Sequence, residues 1–248
     1  VASFTFLTIL FTSRASMLNF SRFVRSLGLM FILTLGSHNL ALATNSDTSS
    51  TDKPVDAQQA NKTILVIGDS LSAEYGITRG TGWIEIIRKN YLNLAYPDYQ
   101  VHNASISGDT TSGGLSRLPA LLAQQPVKIA LIELGSNDAL RGLSLEQSRQ
   151  NLEKMRDLVH DQGGIVVFIG MQIPPNFGPI YTQQFSQMFK DVTTDKDFLV
   201  PFLMEGFALD MDKFQADGIH PNESAQELMA ATVWPVLEQA LQALKSAP

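Results

Sequence analysis

The apolar positions of this 248-residue chain follow two alternating spacings, which predicts strands and helices in turn along most of its length. Five runs rich in apolar residues have the length of a strand and are separated by polar residues, glycine or proline. The predicted strands cover residues 64–67, 99–106, 128–134, 165–173 and 198–202.

Between the predicted strands, apolar residues recur every three or four positions, which predicts amphipathic helices packed on a sheet. A weaker pattern predicts a helix over residues 181–192. A last helix is expected to begin near Asn222 and to kink at Pro235, because proline removes a helical hydrogen bond. The stripes expected to face inward are Trp83, Ile86, Ile87, Tyr91 and Leu94; Leu115, Leu118, Leu121 and Leu122; Leu145, Leu152, Met155, Leu158 and Val159; and, in the last helix, Ala225, Leu228, Met229, Val236, Leu237 and Leu241.

This alternation of elements predicts an α/β fold in one doubly wound domain. Because strands and helices alternate through about 180 residues, we expect a five-stranded parallel sheet covered by helices on both faces. Ligands of such sheets bind beyond the carboxyl ends of the strands. The polar clusters that follow the strands are therefore the candidates for a functional site.

The first 43 residues differ from the rest of the chain, with three arginines and no acidic residue. After Met17, two arginines precede an apolar run over 27–35 and the small-residue site Ala41-Leu42-Ala43, which is typical of a secretory signal peptide cleaved after Ala43. The apolar runs are shorter than the roughly 20 residues of a spanning helix, so we expect a periplasmic or secreted protein without a stable membrane anchor. Residues 1–16 suggest an over-long reading frame, which leaves Val1 or Met17 as the start.

Composition limits the extent of the folded domain, the partners it can bind and the chemistry it can perform. Residues 44–62 are polar and predict a flexible leader, which leaves residues 63–248 as the folded domain. The chain is 44% hydrophobic and 17% charged, enough for one substantial core. Without residues 1–43 it holds 15 basic and 24 acidic residues, a net charge of −9 that argues against nucleic acid as a partner. The absence of cysteine excludes disulfides and thiolate catalysis.

The first predicted strand runs directly into Gly68-Asp69-Ser70-Leu71, and a sharp turn there would present the Ser70 hydroxyl above the sheet. Near the other end of the chain, Asp217 and His220 supply an acid and an imidazole three residues apart. We expect Ser70 to be a nucleophile and His220 its general base, because an imidazole can accept and return a proton near neutral pH. Asp217 would hold the imidazole in the required tautomer.

Two further clusters supply candidate donors for an oxyanion. Gly108 follows the second predicted strand, and Asn137 follows the third. The backbone N–H groups of Ser70 and Gly108 and the side-chain amide of Asn137 are the expected oxyanion donors, since none of them carries a charge that would neutralise the nucleophile. Four charged residues of these loops are expected to brace them through hydrogen bonds: Asp69, Asp109, Asp138 and Arg141.

Each motif alone has a simpler interpretation. The turn at Ser70 could be an ordinary connection, Gly108 and Asn137 could serve loop geometry, and His220 could be a surface histidine. Their joint occurrence at one predicted sheet edge favours the catalytic interpretation. His102 and His160 have no matching context. The serines that compete as nucleophiles do not follow Gly-Asp at a strand end; they are Ser72, Ser105, Ser107 and Ser112.

Two other kinds of site are weighed and disfavoured. A metal site from Asp69, Asp138, Asp217 and His220 lacks a recognised ligand spacing, so no metal is expected. The glycines at 108, 113 and 114 lack the Lys-Ser or Lys-Thr ending of a phosphate-binding loop.

The four blocks containing Ser70, Gly108, Asn137 and His220 resemble, in order and spacing, those of the Gly-Asp-Ser-Leu hydrolases, also called Ser-Gly-Asn-His hydrolases. Over about residues 63–240 the resemblance is closer still to the exported bacterial thioesterases with esterase, arylesterase and lysophospholipase activity. That resemblance is carried by residues 103–110, 140–142, 201–205 and 217–222.

The resemblance implies a flavodoxin-like fold, no cofactor, and Ser70, Gly108, Asn137, Asp217 and His220 as the working residues. It also implies that a loop closes over the acyl chain, formed by Ile173, Pro174, Pro175, Asn176 and Phe177. Ser136 stands where relatives often have glycine, and Phe177 stands where they have an aromatic hydroxyl, which puts substrate preference in doubt.

We expect a monomeric serine hydrolase that cleaves small-molecule acyl esters or thioesters through an acyl-Ser70 intermediate. Export favours fatty-acyl and aryl esters and lysophospholipids over cytosolic acyl-CoA. Two alternatives stay open at this point: a sugar O-deacetylase or acyltransferase using the same residues, and an exported binding protein without catalysis.

Overall fold

The computed structural model describes residues 62–246 and contains one five-stranded sheet. Every strand pair is parallel, and the strand order is β2-β1-β3-β4-β5. The predicted fold class is thereby confirmed, whereas the predicted signal peptide and all but the last residue of the leader lie outside the described residues. The strands are β1 (Lys62–Gly68), β2 (Tyr99–Asn103), β3 (Val127–Glu133), β4 (Ile165–Ile169) and β5 (Phe198–Val200).

Helices follow each of the five strands. A π-helical segment, Arg88–Leu92, joins the first two helices into one continuous stretch, and short 3₁₀ turns lie at Pro175–Phe177, Met211–Lys213 and Glu223–Ala225. The α-helices are α1 (Trp83–Ile87), α2 (Asn93–Ala95), α3 (Thr111–Leu122), α4 (Ser136–Leu140), α5 (Leu145–His160), α6 (Pro179–Val192) and α7 (Gln226–Ser246).

The helices form two layers with the sheet between them. Helices α3, α5 and α6 pack side by side, and α1 packs against α7. The chain moves from β1 to β2 in one direction and from β2 across to β3, β4 and β5 in the other. Because parallel crossovers are right-handed, these two directions place α1 on one face and α3, α5 and α6 on the opposite face. Strands β1, β3 and β4 are buried on both faces, which accounts for their long apolar runs in the sequence.

The reversal of direction occurs between β1 and β3, which pair so that Gly68 lies opposite Glu133. Ligands bind at such a topological switch point, beyond the carboxyl ends of the strands. The loops that carry Ser70, Gly108 and Asn137 leave β1, β2 and β3 at this edge. The fold therefore collects three of the predicted clusters on one side of the sheet.

Several predicted boundaries are wrong. Strands β2, β4 and β5 end before residues 106, 173 and 202, although Met171 and Ile173 stay buried beneath the loops. Leu94 is exposed because the π-helical segment shifts the helical register ahead of it, and Leu228 lies beside the buried stripe of α7. Helix α7 runs through Pro235 as one element. Helix α4 was not predicted, because five residues are too few to show a helical period.

A buried carboxylate, Asp197, links α5, β4 and the loop before β5. It lies at the end of the sheet that is far from the candidate site. Asp197 precedes β5, and its side chain is fully buried. It accepts hydrogen bonds from His160 Nε2 at 2.7 Å, the Val166 backbone N–H at 3.2 Å and Thr194 Oγ1 at 2.6 Å. His160, which had no context in the sequence, thus belongs to a network that ties α5 and β4 to the loop before β5.

We expect Asp197→Ala to lower the free energy of unfolding by about 3 kcal/mol, because buried donors left without an acceptor cost roughly 1–3 kcal/mol each and relax in part. Urea unfolding measures the change. The matched control is Asp191→Ala, which removes an exposed carboxylate bonded to Gln187 and should cost less than about 0.5 kcal/mol. Equal changes in the free energy of unfolding for the two substitutions would contradict the proposed contribution of the Asp197 network to stability.

Candidate active site

Ser70 lies in the turn that follows β1, as the sequence predicted. The carbonyl oxygens of Asp69 and Ser70 accept hydrogen bonds from Ala73 and Tyr75, at 2.9 and 3.2 Å, so the chain winds tightly away from the strand end. This winding leaves Ser70 partly exposed at the sheet edge, while Asp69 is buried. The strand end therefore supports the hydroxyl rigidly from below.

Asp217 and His220 lie on one tight turn whose geometry depends on Gly218, which has φ +66°. Asp217 Oδ1 accepts the backbone N–H groups of Ile219 and His220 at 2.9 and 3.0 Å, and Oδ2 lies 2.7 Å from His220 Nδ1. The His220 backbone N–H, followed by that of Ile219, lowers the pKa of Asp217 to about 2. The carboxylate is therefore ionised at any pH at which the protein would work.

The turn with His220 meets the turn with Ser70 although 150 positions separate them in the sequence. His220 Nε2 lies 3.0 Å from Ser70 Oγ. Because Nδ1 donates its proton to Asp217, Nε2 is the acceptor that faces the hydroxyl. The Tyr75 ring lies 4.5 Å from the His220 ring, and Gln215 donates to the Tyr75 and Pro221 carbonyls, which ties the two turns together.

Two backbone N–H groups of the predicted site, those of Ser70 and Gly108, are available to bind an anion. Among the described residues, neither the Ser70 N–H nor the Gly108 N–H has a hydrogen-bond acceptor. Gly108 has φ +78°, a conformation that glycine adopts more readily than other residues. The backbone of the loop after β2 therefore favours glycine at this position. Unpaired N–H groups at the edge of a site suit a negatively charged oxygen.

Asn137, on α4, is held at both ends of its amide. Nδ2 donates to Asp69 Oδ2 at 3.0 Å, and Oδ1 accepts from Arg141 Nη2 at 3.3 Å. The same Arg141 nitrogen donates to the Gly108 carbonyl at 2.8 Å, which joins the loops after β2 and β3. One N–H of the Asn137 amide remains unassigned by these contacts.

The other predicted bracing residues do bind within and between loops. Asp109 pairs with Arg117 at 2.8 Å. Asp138 accepts from the Thr111 hydroxyl at 2.6 Å and from the Ser148 hydroxyl at 3.0 Å, which anchors α4 to α3 and α5. These carboxylates are engaged in structure, so they do not meet His220 as metal ligands. No group of three histidine or acidic side chains within residues 62–246 is arranged to hold a metal ion.

Glu133 is a residue at the site that the sequence analysis missed. It ends β3, is fully buried, and accepts hydrogen bonds from the Asp69 backbone N–H at 3.2 Å and from Ser72 Oγ at 2.9 Å. Ser72 is thereby engaged away from His220, which separates this competing serine from Ser70. The signal that could have identified Glu133 is an acidic residue that directly follows the apolar run Ile129–Ile132 and precedes the cluster with Asn137.

The predicted acyl-chain loop lies beside α4. Ile173 is buried, while residues 174–177 are exposed, and the Phe177 ring lies 6.3 Å from the Tyr181 ring. The Tyr181 hydroxyl donates to the Ala139 carbonyl at 3.1 Å, two residues after Asn137. A small open pocket adjoins Ser70 and His220, lined also by Leu71, Glu74, Tyr75, Ile77, Pro221 and Gln226.

Known proteins are similar in sequence to this chain over most of the described residues. Residues 66–228 match the model of the GDSL-like Lipase/Acylhydrolase family. Esterase TesA of Pseudomonas aeruginosa is 45% identical over 185 residues, 74% of this chain and 92% of that protein. The arylesterase of Vibrio mimicus is 39% identical, with 71% and 88% covered, and thioesterase 1/protease 1/lysophospholipase L1 of Escherichia coli is 38% identical, with 69% and 81% covered.

Solved structures of esterases are similar to this chain in fold as well as in sequence. The crystal structure of TesA superposes with a TM-score of 0.69 at 44% identity, covering 72% of this chain and 99% of that one. A psychrotrophic esterase EstA from Pseudoalteromonas, inhibited by monoethylphosphonate, gives a TM-score of 0.67 at 34% identity, covering 73% and 99%. The match in sequence, spanning most of the described residues and all four loops, is sufficient to assign the family: this chain belongs to the GDSL-like lipases and acylhydrolases.

Proposed function

We propose that this protein is a serine hydrolase that cleaves acyl esters or thioesters through an acyl-Ser70 intermediate. The observation that carries the proposal is the 3.0 Å separation of Ser70 Oγ and His220 Nε2, with Asp217 bonded to the far side of the ring. Nucleophile, base and orienting carboxylate within hydrogen-bond reach of one another are what acyl transfer to a hydroxyl requires.

In the proposed reaction, His220 Nε2 takes the proton of Ser70 as the hydroxyl oxygen bonds to the carbonyl carbon of the substrate. The carbonyl oxygen becomes negative and is stabilised by the N–H groups of Ser70 and Gly108 and by the Asn137 amide. The intermediate collapses with cleavage of the bond to the leaving oxygen or sulfur, which receives the proton from His220. Water, deprotonated by His220, then attacks the acyl carbon. The bond to Ser70 Oγ breaks, the acid is released, and His220 returns the proton to Ser70.

The substrate proposal is a fatty-acyl or aryl ester, including lysophospholipids. Relatives named esterase, arylesterase and thioesterase/lysophospholipase support this class. Exposed apolar side chains near α4 also support it, because they offer a surface that an acyl chain would cover. These side chains are Leu140, Leu143, Phe177 and Ile180.

We propose that the protein is exported to the periplasm or the medium. The arginine-rich start, the apolar run and the Ala41-Leu42-Ala43 site support a cleaved signal peptide. Within residues 62–246, no helix has both the length and the apolar content that crossing a bilayer demands.

Ser70→Ala should lower kcat for p-nitrophenyl butyrate by about 10⁴-fold or more, because the acyl group then has no oxygen to which it can be transferred. The control is Ser112→Ala, a competing serine that is exposed at the start of α3. We expect this control to keep wild-type kcat. A Ser70→Ala protein that is folded by circular dichroism and retains more than a tenth of wild-type kcat would refute the proposed nucleophile.

Asp217→Asn should lower kcat/KM by about 10³- to 10⁴-fold, since the amide no longer fixes the His220 tautomer. Because the pKa of Asp217 is about 2, wild-type activity should show no change from Asp217 titration between pH 4 and 9. Its contribution to stability is present above the ordinary pKa of 3.8 and is lost only as the pH falls towards 2. Asp195→Asn, at an exposed position, serves as the control and should leave kcat/KM unchanged.

Phe177→Ala should reduce kcat/KM for p-nitrophenyl octanoate by about tenfold relative to p-nitrophenyl acetate, because only the longer chain reaches the lost ring. Leu209→Ala removes a side chain that is 98% exposed and should change neither substrate. Equal losses on octanoate and acetate would place Phe177 outside the acyl-binding surface.

A further inference from the structure

Two carboxyl groups are buried directly beneath the site, and the reaction proposed above uses neither. Glu133 ends β3 and Asp69 follows β1; the two residues are 0% and 1% exposed. The Asp69 backbone N–H donates to Glu133 Oε2 at 3.2 Å, so the two residues are neighbours at the ends of their strands. Gly68 permits this close arrangement, because a Cβ atom at that position would lie 2.8 Å from Glu133 Oε2.

The hydrogen bonds of Glu133 indicate where a proton resides. Oε2 accepts from the Asp69 N–H and the Ser72 hydroxyl, whereas Oε1 is buried and has no bonded donor among the described residues. A buried oxygen left without a partner is costly when ionised, but a protonated Oε1 becomes a donor that the neighbouring Asp69 carboxylate can accept. Two adjacent carboxyl groups out of water also disfavour a second negative charge.

The titration of the pair agrees with this assignment. Burial raises the pKa of Glu133 well above its usual range, and the neighbouring charge of Asp69 adds to this effect. Burial raises the pKa of Asp69 to about 6, opposed by hydrogen bonds from the Leu71 N–H, Glu133 and Asn137 and by the nearby His220. The larger effect of burial on Glu133 favours the proton on Glu133 and the negative charge on Asp69.

The charged member of the pair is bonded to the proposed oxyanion donor. Asp69 Oδ2 accepts one N–H of Asn137 at 3.0 Å, and Arg141 donates to the other end of the same amide. These two contacts fix the plane of the amide and leave its second N–H for the oxyanion. A shift of Asp69 would rotate that N–H away from the position where charge develops.

We propose that Glu133 is a positioning residue that acts as a neutral acid: its proton holds Asp69 against Asn137 and keeps a second negative charge from beneath the oxyanion. This inference rests on the proposed function, because it assigns Asn137 to the oxyanion. Glu133 itself touches neither substrate nor the reacting atoms.

The first test is infrared difference spectroscopy of the folded wild-type protein and Glu133→Gln at pH 7. The expected result is a band of a protonated, buried carboxyl group that is absent from Glu133→Gln. Absence of this band from the wild type would overturn the proposal. The measurement needs no activity, so its failure is distinguishable from failure of the proposed hydrolase function, which Ser70→Ala tests.

The second test compares kcat of Glu133→Gln and Glu133→Met, measured on protein shown to be folded by near-ultraviolet circular dichroism. Gln can donate to Asp69 and accept the same two bonds, so we expect kcat within about threefold of wild type, whereas Met should lower kcat about 10- to 100-fold with KM changed less than threefold. Equal losses in the two variants would overturn the proposal. If Glu133→Met does not fold, the infrared comparison decides alone.

A double-mutant cycle separates positioning from general loss of structure. If Glu133 acts through Asn137, Glu133→Met should cost less than about threefold when Asn137 is already Ala. The same 10- to 100-fold loss in both backgrounds would show that Glu133 does not act through this amide, and would overturn the proposal.

Discussion

The parallel pairing of β1 with β3 fixes the positions from which the candidate active site is built. With Gly68 opposite Glu133, both strands end at the same level, and the chain leaves them in opposite directions. The turn with Ser70 and the helix with Asn137 start from adjacent strand ends and meet above them. The last loop then needs only to bring His220 over this edge, and Gln215 holds it there by bonding the carbonyls on both sides.

Charge is distributed unevenly around the proposed nucleophile. On one side, Asp217 is kept ionised by backbone N–H groups and faces the imidazole that would become positive in the proposed reaction. On the other side, where negative charge would develop, the proposed oxyanion donors are uncharged, and the buried acid pair carries a single charge by our proposal. Two carboxyl groups near the site thus differ in charge by our proposal. Asp217 is ionised because it accepts hydrogen bonds near the surface, whereas Glu133 is neutral because it is buried away from water.

The sequence predicted the class of the sheet, the start of each strand within two residues and the turns that hold Ser70 and His220, because these follow from local periodicity and turn chemistry. It did not predict what depends on tertiary pairing. The exposure of Leu94 follows from a π-helical segment with no local signature, and the early ends of three strands follow from where their partners end. Glu133 was overlooked because its burial and its bond with Asp69 exist only once β1 and β3 are paired.

The most direct measurement of the account is a crystal structure of the protein after reaction with a p-nitrophenyl alkylphosphonate, whose tetrahedral phosphorus imitates the intermediate. We predict phosphorus bonded to Ser70 Oγ. The phosphoryl oxygen should lie within about 3.1 Å of three nitrogen atoms: the backbone nitrogens of Ser70 and Gly108 and Nδ2 of Asn137. A phosphonate bonded to another residue, or a phosphoryl oxygen turned away from these three donors, would contradict it.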